Sequence, residues 1–279
     1  MPTLIVNADD LGINPSRSHG IFECFEFGIV SSATVIANGS DSDHAIATGK
    51  RRDLPMGLHL NLSEGPPLSP VQNVSSLVTP EGMFMDPEKF RRALNEDAVD
   101  HRHIEWEVRA QIEWFCGHGL SPTHVDSHHH IHVHPFVATL LPELLSQYGI
   151  SWIRMPSEPV PHQWEIEPER RERLLRISQE THDARALFEA HGIRSTDAFR
   201  GMALVSHASK KNLRHSLKSL PQEGTVELMV HPGQCHPEGS LFDRDPQRET
   251  EREMLTDPEL PQYLSNRRIG LGAFDELSS

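Results

Sequence analysis

The sequence predicts an α/β fold with parallel strands, a (β/α) barrel that is distorted or incomplete, and three observations lead there. Apolar β-rich runs alternate with helical patterns along the chain. Residue types that carry chemistry fall at or just past the C-terminal ends of the expected strands, the face on which parallel α/β folds build their sites. The 279 residues lie near the ~250 typical of one barrel but would also suit two smaller domains. No boundary signal or repeat divides them, so a single unit over residues 1–279 is expected. Too few strands are legible for a regular eight, hence the expectation of a distorted or incomplete barrel.

Residues 3–8 read as a buried strand, and Ile21, Phe22 and Phe25 follow at helical spacing before Gly28 closes that helix. A second strand is expected at 34–37, a short helix at 42–50 and a third strand at 56–62 carrying His59. After a Pro/Gly/Ser-rich stretch from 64 to 82, Ile104, Val108, Ile112 and Phe115 form a helical stripe ending at Gly117 and Gly119. Strands at 123–127 and 150–155 flank a helix at 135–148. Beyond a Pro/Glu-rich loop at 156–169 come a long charged helix at 170–191, a weaker one at 210–220 and a clear strand at 225–230.

A net charge of −14 counts against nucleic acid and anionic membrane as partners, since both repel an acidic surface. No run approaches the ~20 apolar residues of a membrane span, and the first residues lack a basic leader. Three widely spaced cysteines without CxxC spacing indicate neither a disulfide framework nor a thiolate zinc site, so a reducing, cytoplasmic setting is expected. No GxGxxG, GxxxxGKS or GxSxG element occurs. The compositional oddity is 19 histidines, several of them in the internal run Ser127-His128-His129-His130-Ile131-His132-Val133-His134-Pro135.

Asp9 and Asp10 follow the strand Leu4-Ile5-Val6-Asn7-Ala8. Neighbouring side chains at a strand end point in different directions, so one carboxylate can bind a cation while the other stays free as a base. The competing reading is an Asp pair that merely caps the next helix. In an extended chain His128, His130, His132 and His134 would share one face, and a metal is the usual partner for clustered imidazoles. A solvated, metal-sequestering tract is the alternative. His59 by itself reads as a hydrogen-bonded core residue; the combination with the other groups raises it to a candidate.

The segments Val6-Asn7-Ala8-Asp9-Asp10-Leu11-Gly12, Gly57-Leu58-His59-Leu60-Asn61-Leu62, Thr123-His124-Val125-Asp126-Ser127-His128-His129-His130 and His231-Pro232-Gly233 resemble, in order, the hallmark motifs of the YdjC-like carbohydrate deacetylases. The likeness runs from residue 3 past 233, and the charged stretch 248–258 resembles the family's C-terminal helix; Leu11 stands where the family commonly has Phe. The resemblance implies a metal-dependent hydrolase that removes the acetyl group from an N-acetylated sugar or short chitooligosaccharide. It also suggests a homodimer. Asp10, His59 and His128 would hold a divalent cation, Mg2+ or Zn2+, with Asp9 as general base.

One carboxylate and two imidazoles leave coordination positions open, as a catalytic site requires. His231, at the end of the last clear strand and followed by Pro-Gly, is the candidate acid for the departing amine, against the plainer reading of a histidine packed at a strand end. Arg154, in Ile153-Arg154-Met155-Pro156, resembles the Arg-x-Pro element of related polysaccharide deacetylases that orients the base. Asp126 is expected to orient a ligand histidine from behind. Trp164, in a loop, is the tryptophan available to stack on a sugar, whereas Trp106 and Trp114 lie in a helical pattern.

Two rivals remain open on the sequence. A non-haem iron oxygenase also uses two histidines and a carboxylate, but a spare Asp9 has no evident place in oxygen activation and such enzymes usually adopt a β-sandwich. A non-enzymatic His-rich metal-binding protein would not depend on Asp9.

Overall fold

The computed structural model describes residues 1–278. In chain order the elements are β1 (Thr3–Leu11), α1 (Pro15–Phe27), β2 (Ser32–Ile36), α2 (Ser42–Arg51), β3 (Met56–Leu60), α3 (Pro87–Asn95), α4 (His101–Gly117) and β4 (Val125–Ser127). Then come α5 (Pro135–Gln147), α6 (Pro168–Ala190), β5 (Ala198–Arg200), α7 (Lys210–Lys218), β6 (Thr225–Val230), α8 (Leu241–Arg244), α9 (Gln247–Leu255), α10 (Leu260–Asn266) and β7 (Gly270–Leu271). The sheet order is β4-β3-β2-β1-β6-β5, with β7 paired to the start of β1, and the pairings are parallel.

The sheet curls into an incomplete barrel. Its gap lies between β4 and β5, where single parallel bridges, Val125 to Ile153 and Trp152 to Arg194, replace a continuous ladder. The strand expected at 150–155 is therefore reduced to these bridges, its backbone bonding to Val125 on one side and Arg194 on the other over residues 151–154 only. The short β5, β7, α3 and α10 lie outside the elements expected from the sequence, and α9 occupies the charged stretch likened to a C-terminal helix.

Local chemistry explains the boundaries of the helices. Asn14, Asp86, Asp100 and Ser209 cap α1, α3, α4 and α7 by accepting backbone N–H groups, and proline stands in the first turn of α1 and α3. The long α6 buries only Leu174, Ile177, Thr181, Ala184 and Phe188, a narrow stripe at alternating three- and four-residue steps. β1, by contrast, is buried at every position after Thr3, as a central parallel strand covered on both faces must be. Among the described residues no helix is long and apolar enough to cross a membrane.

Two backbone features set the site. β1 runs three residues past the expected Ala8, and its register with β2 shifts between Ala8 and Leu11, with Asp10 at φ 65°. That bulge turns Asp9 and Asp10 apart. The histidine tract is the second: residues His128–Val133 form a tight 3-10 segment, with His129 at φ 55° and His130 at φ 54°. The expectation of four histidines on one extended face is overturned, because left-handed residues break the alternation on which it rested.

Candidate active site

Asp10 at the end of β1, His59 in β3 and His128 just past β4 converge at the barrel mouth. Asp10 Oδ1 lies 3.0 Å from His128 Nδ1 and 3.3 Å from His59 Nε2. The approach is close, yet this buried oxygen has no hydrogen bond. Oδ2 of the same carboxylate accepts from Arg17 Nη1 at 2.7 Å, and Arg17 in turn donates to Asp243 at 2.8 Å. Behind the imidazoles stand two carboxylates, Asp126 Oδ1 at 2.7 Å from His59 Nδ1 and Glu64 Oε2 at 2.9 Å from His128 Nε2.

The electrostatics favour positive charge at this point. Burial would depress the basicity of His59, but Asp126, Asp10 and Asp9 outweigh it and raise the pKa to about 10. His128 is raised to about 9, burial again losing to Asp10 and Glu64. Asp10 is held well below the usual carboxylate range, since His128, His59 and Arg17 overcome its burial. An orphaned carboxylate oxygen and two imidazole nitrogens, with donor atoms all within 4.8 Å of one another, fit a divalent cation in both donor chemistry and charge.

Asp9 faces another way. Arg154, fully buried, grips both its oxygens at 2.6 Å, and Asn7 Nδ2 donates to Oδ1 at 3.0 Å. The same guanidinium reaches Asp126 at 2.8 Å and Glu227 at 2.7 Å, so three buried carboxylates share one arginine. Burial raises the pKa of Asp9 despite Arg154, with Asp126 adding to the rise. Asp126 itself is lowered, because Arg154 and His59 outweigh its burial.

Glu227 is pushed up from 4.5 to about 7, chiefly by burial and against the pull of Arg154. Between those values the folded chain holds a proton on Glu227 that the unfolded chain has released, so this group draws stability down as pH rises through that window. Glu227→Gln has no such proton to lose. Its melting temperature relative to wild type is expected to improve between about pH 5 and about pH 8, by the equivalent of roughly 1–3 kcal/mol. Thermal melts at both pH values check this, and a pH-independent difference would refute it.

His231 stands just past β6, with Nε2 3.9 Å from Asp9 Oδ2. Its ring packs edge-on against Phe242 at 5.3 Å, and Nδ1 has no hydrogen bond. Burial, aided by Arg248 and Arg17, holds its pKa well below the usual histidine value, so the imidazole is neutral at rest. The Pro232-Gly233 turn after it presses on α1 so closely that a Cβ on Gly20 would come within 2.5 Å of Gly233 Cα. Asp9, Asp10, His59, His128, His231 and Glu64 all line one cavity of about 430 Å³.

The remaining histidines of the tract are dispersed. His132 bridges Ser127 and the carbonyl of Arg154, His134 caps α5, and His130 is buried edge-on to Phe199. Trp164 does not line the cavity; it is buried near His207 and His215, with no face for a sugar. Trp106 is exposed, and Trp114 packs at the core edge and donates to Asp43. Sequence reasoning missed Arg17, Glu64 and Glu227. Only Glu227 carried a signal, a carboxylate in the middle of the apolar strand Thr225–Val230.

Comparison with known proteins identifies the family. The family model described as YdjC-like protein matches residues 3–266. A carbohydrate deacetylase of Mus musculus is 36% identical, over 99% of this chain and 95% of that protein. One from Brevibacillus brevis is 32% identical, over 98% and 99%. The crystal structure of a putative cellobiose-phosphate cleavage protein from Enterococcus faecalis V583 superposes with a TM-score of 0.82 at 25% identity, covering 99% of this chain and 98% of that one. With that coverage, and with the motif residues gathered around one cavity, the chain belongs to the YdjC-like protein family.

Proposed function

We propose that the protein is a metal-dependent carbohydrate deacetylase that hydrolyses the N-acetyl group of an amino sugar or short chitooligosaccharide. The observation that carries this reading is the pairing, in one cavity, of a three-donor cation site with a separate, arginine-gripped Asp9. Deacetylase relatives at up to 36% identity support it.

Asp10, His59 and His128 would hold the cation, Zn2+ or Mg2+, both acceptable to one Asp and two His. When bound, it would polarise the acetamide carbonyl and acidify water. Asp9 takes the proton of the attacking water, and its raised pKa suits it to that task. Arg154 fixes the carboxylate's direction, while Asp126 orients His59 from behind. As the C–N bond breaks, the amine nitrogen needs a proton. His231, neutral at rest, is the acid for that nitrogen; its Nε2 stands 3.9 Å from Asp9 Oδ2, so the proton Asp9 has taken reaches it through one water and passes on to the amine. Acetate and the free amine leave.

The oxygenase alternative is disfavoured by the curled parallel sheet and by Asp9. The metal-buffer alternative is disfavoured because three histidines of the tract are spent on separate contacts, His132 on Ser127 and the Arg154 carbonyl, His134 on the start of α5 and His130 on Phe199. The test is to load the protein with Zn2+ or Mg2+, supply N-acetylated mono- and disaccharides, and measure acetate. Release that stops on chelation is expected; no acetate from any of them with either ion would overturn the proposal.

A further inference from the structure

The two candidate ligand histidines present opposite nitrogens towards Asp10. His59 turns Nε2 inward and gives Nδ1 to Asp126, whereas His128 turns Nδ1 inward and gives Nε2 to Glu64. A carboxylate behind an imidazole keeps the proton on the outer nitrogen, leaves the inner lone pair for a cation and locks the ring plane.

The two supports differ in surroundings. Asp126 is fully buried and also accepts from Thr34 and Arg154. The Glu64 side chain is 41% exposed and stands in the cavity wall. Among the described residues no hydrogen bond reaches its second oxygen. An exposed glutamate would ordinarily lose this contact to rotamer freedom, yet here the backbone is fixed. Glu64 N donates to Asn61 Oδ1 at 3.1 Å, and its carbonyl accepts from Asn61 Nδ2 at 2.7 Å and from Asn38 Nδ2 at 2.9 Å. Asn61 is itself buried, and Gly65 supplies the φ of 74° that closes the turn. Three hydrogen bonds to the backbone of one surface residue fix where its side chain starts, and from there its carboxylate reaches His128 at 2.9 Å.

We propose that Glu64 is a positioning residue: the asparagine-locked turn after β3 holds its carboxylate on His128 Nε2, and this sets the nitrogen and ring plane that His128 offers to the cation. The inference rests on the cation site of the proposed function but not on its acetylated substrate. The experiment is therefore calorimetric titration of metal-free protein with Zn2+, with no sugar present, so absence of deacetylase activity would leave its outcome intact.

Glu64→Ala is expected to bind Zn2+ roughly 10–100-fold more weakly than wild type. Glu64→Gln should recover part of that loss, because its amide oxygen can still accept from Nε2. Glu88→Gln removes a charge from the same cavity wall without touching an imidazole, Glu88 being paired with Arg176, and should bind within about twofold of wild type. Metal-free melting temperatures should match throughout. Wild-type affinity in Glu64→Ala overturns the proposal, and so does an equal loss in Glu88→Gln, which would mark a mere charge effect.

Discussion

Asp9→Asn is expected to lower the rate of acetate release by roughly 10²–10⁴-fold, the usual worth of a positioned general base, while Zn2+ affinity stays close to wild type. The reasoning is geometric. Asp9 lies outside the Asp10, His59 and His128 trio, so its replacement removes a proton acceptor and none of those donors. Asn retains one oxygen that can accept from Arg154, and isosteric size keeps the cavity shape. Steady-state acetate assays alongside calorimetry separate the two effects. Full activity in Asp9→Asn would mean that the proton goes elsewhere; lost metal binding would mean that Asp9 belongs to the cation site.

Arg154→Met should be the most destabilising single change at the site. Arg154 is fully buried and neutralises Asp9, Asp126 and Glu227 together, so its removal leaves clustered carboxylates without a counter-charge. Breaking a buried ion pair from one side costs about 3–5 kcal/mol, and for a chain of this size each kcal/mol is worth roughly 2–4 °C of melting temperature. A fall of the order of 10 °C in a thermal melt is therefore expected. Arg154→Lys should recover part of the stability but little activity, because an ammonium cannot grip both oxygens of Asp9 as the guanidinium fork does. A Met variant as stable as wild type would show that the carboxylates take up protons at no cost and do not rely on this cation.

How far the sequence reached depended on the range of the forces involved. The alternation of β-rich and helical runs, the strand 225–230 and the helical stripe of Ile104, Val108, Ile112 and Phe115 were legible because periodicity is a local property of the chain. Chemistry at strand ends was legible too, since parallel topology sends every strand's C-terminal end to one face. Asp10, His59, His128, Asp9 and Arg154 could thus be named before any contact was known. The same local reasoning failed for the histidine tract, where left-handed residues 129 and 130 undo the strand alternation, and for Trp164, which packing drew inside.

What tertiary structure alone decided is the pairing of charges across the barrel. Arg154 meets Glu227, and Arg17 joins Asp10 to Asp243, over separations of 73, 7 and 226 residues. Glu64 reaches His128 across 64 residues. Such contacts have no period and no composition. They exist because a curled sheet brings distant strand ends within a few ångströms, where burial makes an unpaired charge too costly to leave alone. The sequence by itself determined which residues could do chemistry and at which ends of which strands; folding determined which carboxylate meets the two imidazoles, which faces the arginine, and which histidines pack into the structure instead.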